Sequence, residues 1–154
     1  MKNRLLLAVI VSAVSAAAVA GPIEDQIRFR QSAYSFTAWN LGKIKGQVVD
    51  HPETFNKDQV IAAANAIAAV ANSGLGALYG AGTDKGTGWK PTRLKSEFFQ
   101  QPEDAKNVGV AFITEANALA KVAQGGNIDE IKAQFAKVGD TCKGCHDKFR
   151  AKEQ

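Results

Sequence analysis

Clusters of proline and glycine divide residues 22–154 into four stretches, and within each the apolar residues recur at helical rather than alternating spacing. The first opens at Pro22, with Glu24 and Asp25 in the turn where the helix dipole favours acids, and runs to about residue 49. His51-Pro52 ends it, because a residue before proline is pushed out of the helical region. Asn56 can cap a second helix over residues 57 to about 78, whose alanine-rich centre permits close helix approach. Residues 80–101 form a connection too long to be a turn. The third helix opens at Pro102-Glu103-Asp104 and closes at Gly125-Gly126, and Asn127 caps the fourth, which runs to about residue 152.

The stripes tell which faces meet. In the fourth helix Ile128, Ile131, Phe135, Val138, Cys142, Cys145 and Phe149 follow one another at alternating steps of three and four. In the first, Ile27, Arg30, Tyr34, Thr37, Leu41, Ile44 and Val48 do the same, with Arg30 and Thr37 as polar exceptions on an apolar seam. The expected fold is all-α, an up-down-up-down antiparallel four-helix bundle.

Ahead of the bundle the chain reads Met1-Lys2-Asn3-Arg4, then an apolar run over residues 5–14, then Ala18-Val19-Ala20 before Gly21-Pro22. A basic start, a short apolar stretch and an Ala-x-Ala site make a secretory signal peptide; the other reading, an uncleaved anchor, wants about 20 apolar residues. Cleavage after Ala20 leaves one domain, residues 21–154, exported to a bacterial-type periplasm with no later stretch to hold it in a membrane. It also sets the charge. Lys plus Arg is 19 against 15 Asp plus Glu, and losing Lys2 and Arg4 leaves 17 against 15, too even for a nucleic-acid partner.

One motif carries chemistry, Cys142-Lys143-Gly144-Cys145-His146, and it reads as a c-type haem attachment site. Residues i and i+3 lie on one side of a helix, so both thiols can reach the vinyl groups along one edge of a porphyrin. His146 is turned about 100° further, which can swing its imidazole under the iron as axial ligand. One covalent haem c per chain is expected, its iron on His146. The competing readings are a disulfide, which gives the histidine no role, a thioredoxin-like pair, which belongs at a helix start, and a zinc site, which wants four ligands.

Antiparallel packing then says where the group lies. The motif stands six to ten residues before residue 152, and that end of the fourth helix neighbours the start of the first, so the haem sits at this end of the bundle, beside residues 28–32. Arg30 and Tyr34 are the core-facing members there. Arg30 either pairs with a haem propionate or reaches out to water at the bundle end. Opposite His146 no methionine is available, since Met1 is the single one and leaves with the signal peptide. His51 falls at the far end of the bundle. The iron is therefore expected to be five-coordinate, open to a small diatomic, chiefly nitric oxide, on a side facing Tyr34. The phenol could donate a hydrogen bond, block access, approach the iron, or serve as a core aromatic. The alternatives are a low-spin electron carrier of the same fold and a haem-free bundle using its cysteines as a disulfide or metal site.

These residues resemble the cytochrome c′ family along essentially the whole of residues 21–154. The run Cys142-Lys143-Gly144-Cys145-His146-Asp147-Lys148-Phe149-Arg150 is similar to the family's C-terminal pattern, in which the basic residue four after the histidine, here Arg150, lies beside the axial imidazole. Phe29-Arg30-Gln31-Ser32-Ala33 resembles the stretch whose Arg and Gln contact haem propionates, followed by the residue facing the distal iron, here Tyr34. The loop over residues 79–86 is also similar, and implies a haem contact from Thr87. Many members carry an aliphatic residue where this chain has Tyr34. The resemblance further implies a haem-binding cytochrome rather than an enzyme, a homodimer through the first two helices, nitric oxide binding, and electron transfer with a periplasmic redox partner.

Overall fold

The computed structural model describes residues 22–152, so the segment read above as a signal peptide lies outside the described residues. Helix α1 spans Ile23–Lys45 and continues through a π-helical turn, Gly46–Asp50, before His51-Pro52 stops it. Helix α2, Lys57–Ala71, starts on Asn56, whose side chain accepts from the Gln59 amide at 3.0 Å. A short α3, Glu97–Gln100, precedes α4, Pro102–Gly125, and α5, Ile128–Phe149. The Asn127 side chain caps α5 through the amides of Asp129 and Glu130 at 3.0 and 3.2 Å. No described helix is long and apolar enough to cross a membrane.

Two boundaries and one added element differ from the sequence expectation. The second helix stops at Ala71 rather than near residue 78, because Gly74 adopts φ +80° and leads into a separate 3₁₀ turn, Leu75–Leu78. The fourth long helix ends at Phe149, since residues 150–151 turn extended and pair with residues 93–95: the Lys95 amide donates to Phe149 O at 2.9 Å and the Ala151 amide to Arg93 O at 2.8 Å. The long connection contains α3, which the sequence reading left as loop.

The four long helices form the expected bundle, with α4 packed on α5 and α2, and α2 on α1. Its apolar core runs from the C-terminal end of α1 (Ile44, Val48) through α2 (Val60, Ala63, Ala64, Ile67) to α4 (Phe112, Ala116, Leu119, Ala123) and the first half of α5 (Ile131, Val138). The alanines let α2 come close to α4. Each fully buried Ile or Leu contributes about 1.5–3 kcal/mol of burial. That core fills the end of the bundle away from Cys142–His146. Of the neighbouring long-helix pairs α1 and α5 are packed together least, and at the Cys142–His146 end the buried set mixes apolar Ile27 and Phe149 with polar Gln26, Arg30 and Thr83.

Candidate haem-attachment site

Cys142 and Cys145 lie on one side of α5, as their spacing requires, and both are free and half-buried. Burial pushes both thiols up, so they are held protonated. His146 follows in the last turn with its side chain exposed. Partial burial, then the positive charge of Arg93, moves its imidazole down, which favours the neutral form that ligates metals. His146, Arg150, Arg93, Lys95 and Lys152 border a groove of about 520 Å³. Lys95 caps the end of α5, donating to Lys148 O at 3.0 Å.

Across from the thiols stands Tyr34 on α1, 38% exposed and within electrostatic reach of both cysteines. Its hydroxyl accepts a hydrogen bond from Tyr79 at 2.9 Å. Burial raises both phenols; for Tyr34 the hydrogen bond from Tyr79 works in the opposite direction. The Tyr79 ring stacks on Phe98 at 4.6 Å, and Phe98 in turn meets Phe149 edge-on at 5.3 Å.

Arg30 is buried, as its seam position demands, and does not snorkel to water; it is 6% exposed. Its guanidinium donates to Leu78 O and Thr83 Oγ1 at 3.0 Å each, Thr83 O at 2.9 Å and Thr92 Oγ1 at 3.0 Å, and lies 4.6 Å from the centroid of the Tyr79 ring. All four acceptors are neutral. Burial weakens its hold on its proton, though a guanidinium stays charged at ordinary pH. Gln31 grips the same loop further on: its Oε1 accepts from the amides of Trp89 and Lys90 at 2.7 and 3.2 Å, and its Nε2 donates to Lys90 O at 2.8 Å. The close fit there needs Gly88, where a Cβ would lie 2.6 Å from the Arg28 nitrogen. Thr87 is exposed, bridged to Pro91. His51 sits in the turn after α1, beside Glu53 at 3.3 Å.

The fold therefore brings Arg30, Tyr34, Cys142, Cys145 and His146 to one end, and uses Arg30 and Gln31 to fasten the loop over residues 79–92. Sequence reasoning missed Tyr79, Thr83 and Thr92 as members of this network. Their contacts span 45 to 62 residues, and only the hydroxyl-rich character of the loop hinted at them.

The donor set fits a tethered haem. Two protonated thiols share a side of α5, and the next residue offers a neutral imidazole. Among the described residues, a buried cation without a carboxylate partner, Arg30, and a buried Arg28 Nε without a hydrogen-bond partner lie at the same end, where an anionic side group would be welcome.

Comparison with known proteins agrees. The family model for cytochrome c′ matches residues 25–150. The cytochrome c′ of Rhodocyclus tenuis is 53% identical over 130 residues, covering 84% of this chain and 96% of the relative. A solved cytochrome c′ described as having a ligand-controlled dimer dissociation is 50% identical, with a TM-score of 0.80 over 86% of this chain and 98% of its own. Two variants of the Alcaligenes xylosoxidans protein, each 27% identical with a TM-score of 0.74 over 86% of this chain and 98% of theirs, were solved with nitric oxide and with carbon monoxide bound. With a family match over most of its length and relatives at half identity, this chain belongs to the cytochrome c′ family of haem proteins.

Proposed function

We propose that this chain is a periplasmic cytochrome whose single covalent haem binds nitric oxide at an open sixth position, with electron transfer to a redox partner as a second capacity. Cys142 and Cys145 would hold the haem covalently, each through its thiol sulfur. His146 supplies the axial nitrogen. When bound, the haem iron supplies an electron-rich centre for a diatomic gas. The observation that carries this reading is that Tyr34, rather than a methionine or histidine, is the α1 residue within electrostatic reach of Cys142 and Cys145 among the described residues.

The chain's own residues then divide the work. Tyr34 screens the open side. Arg30 and Gln31 hold the loop against α1, and the uncompensated charge of Arg30 favours a propionate nearby, as does the unfilled Arg28 Nε. Arg150 and Thr87 serve as flanking contacts, Arg150 from the groove it shares with His146. Residues 1–20 direct export and are then removed, which leaves residues 21–154 as the working domain. The outer face of α1 presents Phe29, Phe36 and Trp39, 59%, 49% and 60% exposed, and we assign it to a homodimer interface.

Visible and electron paramagnetic resonance spectra of the purified protein test the open site. High-spin ferric and ferrous haem that changes on nitric oxide titration is expected. A six-coordinate low-spin spectrum in both states, unaltered by the gas, would move the protein to the electron-carrier reading.

A further inference from the structure

We propose that Tyr79 is a positioning residue for Tyr34, and that the hydroxyl contact between them sets how quickly a gas reaches the metal. The inference rests on the reading above, in which Tyr34 screens the open side. The chain has two tyrosines, and they are hydrogen-bonded to each other at 2.9 Å across 45 residues of sequence. Tyr34 stands on an exposed stretch of α1, and among the described residues its phenol makes this one hydrogen bond. Tyr79, by contrast, is held on every level. Its ring is stacked on Phe98 with an interplanar angle of 18°, and the Arg30 guanidinium lies against it. Arg30 is itself fixed by Thr83 and Thr92, and Thr83 is wholly buried, donating to Gly80 O at 2.8 Å. A phenol packed on several sides thus donates to one at the surface of α1. Tyr34 takes its place from the loop, not from its own helix.

Phenylalanine at residue 79 keeps the stacked ring and removes only the donor. Ferrous, haem-loaded wild type, Tyr79→Phe, Tyr34→Phe and the double variant would be mixed with carbon monoxide in a stopped-flow instrument. Loss of one ordinary hydrogen bond corresponds to about a fivefold change, so Tyr79→Phe should associate about fivefold faster than wild type. In the Tyr34→Phe background the same change at residue 79 should have no effect, because there is no phenol left to hold. The ultraviolet resonance Raman bands of Tyr34, the sole tyrosine in Tyr79→Phe, should shift from those of a hydrogen-bond acceptor, which a purely structural role would not produce. Tyr34→Phe reaches the same bond from its other end should Tyr79→Phe fold poorly. An unchanged rate in Tyr79→Phe while Tyr34→Phe is altered overturns the proposal and leaves the gas-binding reading intact. A residue-79 effect that persists without the Tyr34 hydroxyl also overturns it. If wild type binds no carbon monoxide at all, the underlying reading fails and takes this one with it.

Discussion

Replacing Arg30 by methionine keeps an apolar stem of about the length of the arginine's methylene chain and removes the guanidinium that joins α1 to the loop. Four hydrogen bonds disappear, to Leu78 O, Thr83 O, Thr83 Oγ1 and Thr92 Oγ1, together with the contact on Tyr79. Bonds to a charged donor are worth about 1.5–3 kcal/mol each, but stripping water from a cation with no carboxylate partner costs several kcal/mol in the native state. The net loss for Arg30→Met is then about 2–4 kcal/mol, which for a domain of this size lowers the thermal midpoint by roughly 8–15 °C. Helix content followed by circular dichroism on heating gives that midpoint, and hydrogen exchange at the Thr83 and Thr92 amides locates the loss in the loop. A midpoint within about 2 °C of wild type, with exchange unchanged, would mean that the cation is not the fastener and would refute the reasoning.

Three further outcomes follow from neighbouring features. Gly88→Ala places a Cβ 2.6 Å from the Arg28 nitrogen and 2.8 Å from Gln31 Oε1, so the loop must lift; a loss of about 1–3 kcal/mol in guanidinium unfolding is expected, and wild-type stability would contradict the fit. Both phenols have native ionisations raised by burial above the unfolded value near 10, so their contribution is complete below about pH 10 and is lost as the pH rises through the native values. Tyrosinate absorbance should therefore lag behind that of free tyrosine and appear together with unfolding; ionisation of both near pH 10 in folded protein would count against the pair. Trp39→Glu puts a charge on the apolar face of α1, and if the proposed dimer forms there, sedimentation equilibrium should show a dimer for wild type and a monomer for the variant; an undisturbed dimer would place the interface elsewhere.

Much of the architecture was legible because its punctuation is local. Pro102, Gly126 and the Asn127 cap act within one turn, so the limits of α4 and the start of α5 emerged from sequence as the structure has them. The end of α2 did not, since the apolar run continues past Gly74 and only its positive φ reveals the break. Arg30 stood out as a cation on an apolar stripe, and burial confirmed that much; its partners lie 48 to 62 residues away, and no periodicity encodes them. The tether motif was plain for the opposite reason, its three groups falling within five consecutive residues. Tyr79 was hidden because a tyrosine in a loop looks the same whether it is solvated or, as here, clasped between Phe98 and Arg30.

The most direct measurement on the central claim is the mass of the exported protein under denaturing conditions that strip any loosely held group. Residues 21–154 plus one haem is the predicted value, with the pigment inseparable from the polypeptide in acidic acetone. A mass equal to the amino acids alone would contradict the account.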